Sequence, residues 1–307
     1  MLLHILINIT LPVFVLIGVG ILAERAYKVD VDSLVKLNFN VFMPALVLLK
    51  ALDANLAPEI FGGVAVFNLL HTGLILALAW ALFSLPSFRG HRPELTLASL
   101  LPNVGNYGIP LAMLAFGAAG ANVMAIVVLV QVFITITLGL WIIDSGRTHW
   151  RDALTGLLKT PILWASLAAV LMMAFKLELP SPIRQPVEYL ANGLVPLALV
   201  TLGAQLSRSR SGKQIRPLAL VTVLRLLVAP ALAWIMLLGW EAAARAGSLP
   251  TLGLAGPVLI IAAGMPVAVN AYILSSEYKR DGDLVSQTVL WSTLISALSL
   301  TIWLAFL

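Results

Sequence analysis

The sequence predicts an all-α membrane protein of ten transmembrane helices, arranged as two inverted five-helix repeats whose fourth and ninth helices are broken and cross. Three observations carry this expectation. Apolar runs of membrane-spanning length recur along almost the whole 307 residues, the basic residues collect in alternate loops, and a Pro-x-x-x-Asn pattern falls at matched places in the fourth and ninth runs.

Composition sets the solvent. Hydrophobic residues make up 60% of the chain and charged ones 11%, with a mean hydropathy of +0.99, whereas roughly half of a soluble domain is apolar. A water-soluble core of this size would alternate apolar stripes with charged faces, and here apolar runs of about 20 residues follow one another. No room is left for a separate soluble domain. The net charge of +5 and pI near 9.7 come from Lys and Arg in short loops, not from one contiguous basic face. That distribution fits a positive-inside topology and excludes a nucleic-acid partner. Cysteine is absent, which excludes disulfides and thiolate metal sites.

Cutting at charged or turn-rich stretches gives spans at 5–23, 34–52, 60–83, 95–116, 122–143, 160–175, 186–206, 217–240, 254–278 and 284–307. The first, from Ile5 to Ala23, is read as a retained span, because no Lys or Arg precedes it and Pro12 interrupts its centre. The sixth is short for a hydrocarbon layer of about 30 Å and can borrow Leu157, Leu158 or Leu177. One set of loops carries Arg25, Lys28, Arg89, Arg92, Arg147, Arg151, Lys159, Arg208, Arg210, Lys213, Arg216, Lys279 and Arg280, and the other only Lys176, Arg184 and Arg245. The first set is therefore expected in the cytoplasm of an inner membrane, with both termini on the far side. Trp150 and Trp240, near span ends, read as interfacial anchors.

Ten spans divided as 1–150 and 151–307 give halves of five, and an odd number of crossings makes the second half start on the opposite side. That is the inverted-repeat design of many carriers. Pro44 in span two is answered by Pro196 in span seven. Pro102 and Asn106 in span four are answered by Pro266 and Asn270 in span nine.

The stretch Leu100 to Pro110, LLPNVGNYGIP, places two prolines, two glycines and two asparagines where a spanning helix is normally most regular. Pro102 and Pro110 free the carbonyls of Ala98 and Asn106, at roughly 3 kcal/mol for each interior proline, and Gly105 and Gly108 loosen the segment further. Unpaired backbone groups in hydrocarbon cost several kcal/mol, so an unwound stretch survives only where protein or a watery cavity surrounds it. Ala263 to Asn270, AGMPVAVN, repeats the arrangement. Two broken helices meeting near the midplane present free N–H groups and two positive dipole ends, each about half a charge, which favour an anion. Amides of Asn103, Asn106 and Asn270 would complete its hydrogen bonds. The alternative is a pair of kinks packed for shape, with the asparagines satisfying freed carbonyls.

Arg225 follows the boundary at Pro217 by eight residues, or about 12 Å of helix. At that depth it either turns inward to meet a carbonyl or an anion, or snorkels to the cytoplasmic surface. His71 in span three lies at membrane depth and is either a proton exchanger or a hydrogen-bonded structural residue; Asn68 beside it and Gln131 in span five are further coupling candidates. The sequence lacks a phosphate-binding G-x-x-x-x-G-K-[ST] loop, an H-E-x-x-H helix and a G-x-S-x-G elbow, so direct drive by ATP and a hydrolase or metalloenzyme function have no motif behind them.

Leu101 to Leu111, LPNVGNYGIPL, and Gly264 to Ser286, GMPVAVNAYILSSEYKRDGDLVS, together with the run from Leu224 to Pro230, resemble the auxin efflux carrier family of plants and its bacterial relatives, some of them dicarboxylate permeases. The likeness runs almost end to end. It implies ten helices, a crossover of the broken fourth and ninth, and transport of an organic anion by an elevator-like or rocking movement. Residue by residue it places substrate contact at Asn103 and around Pro266. The long central loop of the plant carriers has no counterpart in the short stretch from Asp144 to Lys159. The architecture is also similar to the bile acid sodium symporters, whose sodium ligands find no specific match here. A non-transporting receptor for a carboxylate ligand would use the same pocket. The expected partners are a small organic anion and the lipid bilayer; a proton or sodium as coupling ion, and a homodimer, stay open. No cofactor and no metal are expected.

Overall fold

The computed structural model describes residues 2–53, 58–144, 155, 158–175, 177–208 and 214–307. Arg147, Trp150, Arg151, Leu157, Lys176, Arg210 and Lys213, which the sequence reading used for loop charge, span ends and anchors, lie outside the described residues. Among the described residues the chain is helical and has no strand; its extended pairing is one isolated antiparallel bridge between Pro102 and Val267.

In chain order the helices are α1 (Leu2–Tyr27) and α2 (Val31–Leu49), α3 (Pro58–Phe83) and α4 (Arg92–Leu100). Then come α5 (104–116) and α6 (118–143), which run on from one another except at Gly117, where φ is 67° and ψ −160°. The remainder are α7 (Pro161–Ala174), α8 (Ser181–Ser207), α9 (Ile215–Arg245), α10 (Ala255–Ala263), α11 (Val269–Glu277) and α12 (Gly282–Phe306). Glycine is needed at 117 because a φ of this sign strains any other residue.

Seven helical runs among the described residues are long and apolar enough to cross a bilayer: α1, α2, α3, the run Val104–Ile143 that contains α5 and α6, α8, α9 and α12. The protein is thus a multi-pass membrane protein. α7 has 14 residues, about 21 Å of helix, so the sixth span is as short as the sequence suggests. α4, α10 and α11 have nine residues each, and none of them reaches across alone.

Prolines shape the helices in a way that spacing did not foretell. Wide, π-type turns at Leu6–Thr10, Asn38–Phe42, Val104–Gly108 and Leu224–Val228 each end two residues before a proline, namely Pro12, Pro44, Pro110 and Pro230. A proline cannot donate to the carbonyl four residues back and its ring crowds it; widening the preceding turn moves that carbonyl aside and lets the helix continue. Pro110 was expected to help unwind span four. It sits instead in the second turn of α5, just behind the widened turn, and the unwound part is confined to Leu101–Asn103. Pro196, the partner of Pro44 in the second half, lies inside α8 where no π-type turn is found.

Two contacts fix the scaffold. α1 and α8 approach so closely that a side chain added at Gly20 would strike the Val200 carbonyl, and one at Gly203 the Ile17 carbonyl. Such backbone proximity is how membrane helices gain van der Waals contact without a hydrophobic driving force between them. At the surface, the Asp30 carboxylate accepts from Ser33 Oγ (2.5 Å), Asp32 N (3.2 Å) and Ser33 N (3.4 Å), capping the start of α2. The Ser33 hydroxyl bond foremost, with the backbone bonds, holds this carboxyl below the ordinary aspartate range. Trp240 corrects an expectation: it is buried, donates from Nε1 to the Pro250 carbonyl at 2.9 Å and meets Phe67 edge-on, so it braces the chain's own loop rather than the lipid interface.

Candidate functional site

The gap between α4 and α5 and the gap between α10 and α11 are hydrogen-bonded to each other. Asn103 N–H donates to the Pro266 carbonyl at 2.8 Å, and Ala268 N–H donates to the Leu101 carbonyl at 2.8 Å. Val267 N–H donates to Ser292 Oγ on α12 at 3.1 Å. Leu101, Asn103, Met265 and Val267 are all buried, so the unwound backbone is paired inside protein, as hydrocarbon surroundings demand. Leu100 and Ala263, where α4 and α10 stop, and Val104 and Val269, where α5 and α11 begin, converge on this join. Carbonyls gather on one side of it and N–H groups on the other.

Arg225 serves the carbonyl side. It is 2% exposed and donates from Nη2 to the carbonyls of Ala263 (2.7 Å) and Met265 (3.0 Å), from Nε to Met265 (3.2 Å) and from Nη1 to Ser99 (3.3 Å). Each helix C-terminus is equivalent to about half a negative charge, so the ends of α4 and α10 together offset one guanidinium. Of the alternatives the sequence left open, Arg225 takes the carbonyls and does not snorkel. A cavity of about 10 Å³ beside it is lined by Asn68, His71, Thr72, Pro102 and Arg225, room for about one water. His71 Nε2 lies 2.9 Å from the Ala229 carbonyl, which can only accept, so Nε2 carries the hydrogen. Asn68 Nδ2 has no partner among the described residues.

The other side is unfilled. Neither α5 nor α11 has a side-chain cap at its start; Val104 N–H turns back to the Pro102 carbonyl at 2.9 Å and Ala271 N–H to the Ala268 carbonyl at 3.1 Å, while the other N–H groups of each first turn have no partner within the helix. They border a cavity of about 40 Å³ whose polar lining includes Asn103, Asn106, Gln131 and Asn270, with Pro102 and Gly105 beside them and Phe39, Met43, Val128 and Val132 as apolar walls. Among the described residues no Lys, Arg, His, Asp or Glu lines it. Asn103 Nδ2 and both amide atoms of Gln131 are buried without a partner among the described residues. Asn106 Oδ1 accepts from Asn38 Nδ2 at 2.7 Å, which leaves Asn38 Oδ1 unpaired as well.

The structure thus sorts the sequence-expected residues into two groups. Pro102, Asn103, Gly105, Asn106, Gln131 and Asn270 share the N–H side; Arg225, His71 and Asn68 share the carbonyl side, where Pro102 also reaches. Pro266 gives its carbonyl to the join, and Pro110 lines neither cavity. Asn38 and Ser292 were not singled out from sequence. Asn38, an amide with Asn40 in an apolar run and six residues before Pro44, carried a readable signal; Ser292, one of several hydroxyls on α12, did not.

Helices interrupted at mid-length and joined at their interruptions, within a bundle of apolar spans, define a multi-pass membrane protein whose unwound backbone is sheltered by the protein itself. The family model described as "Membrane transport protein" matches the chain twice, over residues 5–151 and 150–304. The chain belongs to that family of membrane transporters, and the resemblance to the auxin efflux carriers holds. An uncharacterized transporter of Methanothermobacter thermautotrophicus is 29% identical over 301 residues, covering 94% of this chain and 92% of that one. A second, from Methanocaldococcus jannaschii, is 27% identical over 213 residues, 68% of this chain and 66% of its own length, a little under two thirds. A Rhizobium meliloti protein named "Putative malonate transporter" is 24% identical over 309 residues, 96% of this chain and 93% of that one.

Proposed function

We propose that this protein carries a small organic anion across the inner membrane by alternating access around the N–H side of the joined breaks. On this reading ten spans form two inverted five-helix halves, divided near residue 150, with the fourth (α4 and α5) and ninth (α10 and α11) broken and crossing. Both termini lie on the non-cytoplasmic side. The double family match supports the repeat, and the name of the Rhizobium relative supports a carboxylate cargo.

One observation carries the proposal: two helix starts without side-chain caps border a cavity lined by Asn103, Asn106, Gln131 and Asn270 and, among the described residues, by no charged side chain, and three amide atoms of Asn103 and Gln131 are buried there without a partner among the described residues. The helix starts supply positive potential, and the amides of Asn103, Asn106, Asn270 and Gln131 supply directed hydrogen bonds. Arg225 keeps the opposite dipole ends neutralised and does not touch the cargo. At about 40 Å³ the cavity has room for about three waters, close to one carboxylate group. A larger acid needs the walls to part, which is the movement alternating access requires. If an ion is coupled, the Asn68 and His71 side of the breaks is where it acts.

Asn103→Ala removes an unpaired donor from the cavity without touching the backbone join. Uptake or export by proteoliposomes is expected to vanish while the purified variant stays folded and monodisperse. Normal flux by a well-expressed variant would remove Asn103 from the site and the site from this place.

A further inference from the structure

Resting on the reading of the N–H side as the anion site, its charge and its unpaired atoms together restrict the cargo further. Two helix starts amount to about one positive charge, and among the described residues no basic side chain lining the cavity adds to it. A second negative charge on the cargo would have no counterpart in the cavity.

The hydrogen-bonding demand is of both kinds. An ionised carboxylate only accepts, so it satisfies Asn103 Nδ2, the free N–H groups and one end of the Gln131 amide. The other end of Gln131, 6% exposed, still requires a donor. That holds whichever way the amide is turned, because both of its atoms are unpaired. Asn38 Oδ1, buried without a partner among the described residues, lies behind the lining, where Asn38 Nδ2 donates to Asn106 Oδ1, so the demand within the cavity rests on Gln131. Leaving a buried acceptor unmatched is penalised more than a matched hydrogen bond is rewarded.

We infer that the cargo bears one negative charge and a hydrogen-bond donor on the same small molecule: a hydroxy acid, or a dicarboxylic acid that keeps one proton. A plain monocarboxylate leaves the Gln131 acceptor empty, and a fully ionised dicarboxylate brings a surplus charge and no donor.

Matched acids test this on the purified full-length protein by isothermal titration. Lactate is expected to bind at least about tenfold tighter than propionate, which has the same carbon skeleton without the hydroxyl. Malonate binding is expected to strengthen as pH falls into the range where its second carboxyl takes up a proton, while lactate, ionised throughout, shows no such gain. In Gln131→Met the advantage of lactate should shrink to within a few-fold of propionate; the wild-type comparison stands even where that variant does not fold. Equal binding of lactate and propionate, with both lost in Asn103→Ala, would overturn the donor requirement and leave the anion site in place. Malonate binding that strengthens with rising pH would overturn the single charge. Absence of binding by all three acids would overturn the anion site together with this inference.

Discussion

The two sides of the joined breaks are made from the same interruption and meet opposite fates. On the carbonyl side, Arg225 on α9 places one guanidinium against Ser99, Ala263 and Met265, and the space left beside it has room for about one water. On the N–H side, among the described residues, no side chain offers a negative charge, the helix starts carry no side-chain cap, and amide atoms of Asn103 and Gln131 lack partners. A protein that breaks a helix in the membrane must answer two dipole ends. This one answers the negative end from its own sequence, and on the proposed reading the positive end is left to a solute. A permanent anion at the second place would have closed the site.

The comparison can be broken most forcefully from its filled side. Arg225→Met leaves three buried carbonyl groups without their donors, each at about 1–3 kcal/mol. The variant is expected to lose most of its folded, monodisperse yield on size exclusion; an unchanged melting temperature would mean that the carbonyl side needs no cation. Ser292→Ala acts between the two sides by stripping Val267 N–H of its acceptor. It should lower stability by about 1–2 kcal/mol and weaken transport less than Asn103→Ala does. A larger loss of flux than of stability would place Ser292 in the cargo path instead. The smallest effect belongs to Asp30→Ala, at an exposed cap distant in sequence from either break. Because the carboxyl of Asp30 is held below its ordinary range by Ser33, its contribution is fully present above that range and fades as pH falls through the lowered value. Melting curves of the wild type and Asp30→Ala should therefore converge in acid, with anion binding equal at neutral pH.

Much of this was legible in one dimension, and the residues show where legibility ends. Apolar run length located the helices within a few residues, from Leu2–Tyr27 to Gly282–Phe306, because burial of a spanning helix is a property of composition. The breaks at Pro102 and Pro266 were legible because proline and glycine in hydrocarbon leave few options. Pro12, Pro44, Pro110 and Pro230 look the same in the sequence, yet each sits in a continuous helix behind a widened turn. The carbonyl each would clash with can move aside when neighbouring helices permit, and sequence does not record that permission. Gln131, a coupling candidate by its depth, lines the cavity beside Asn103, and Trp240 moved from the interface to an internal bond with Pro250, since neither depth nor span fixes the direction a side chain faces.

By itself, then, the order of residues decided the solvent, the helical runs and the two interruptions, all of which follow from local transfer and backbone energies. Only the tertiary structure decided that the interruptions bond to one another, that Arg225 is consumed by carbonyls and that Asn38 supports Asn106. Those outcomes depend on which donors and acceptors are brought within about 3 Å of each other, between residues as far apart as Ser99 and Arg225, and no local rule specifies such a meeting.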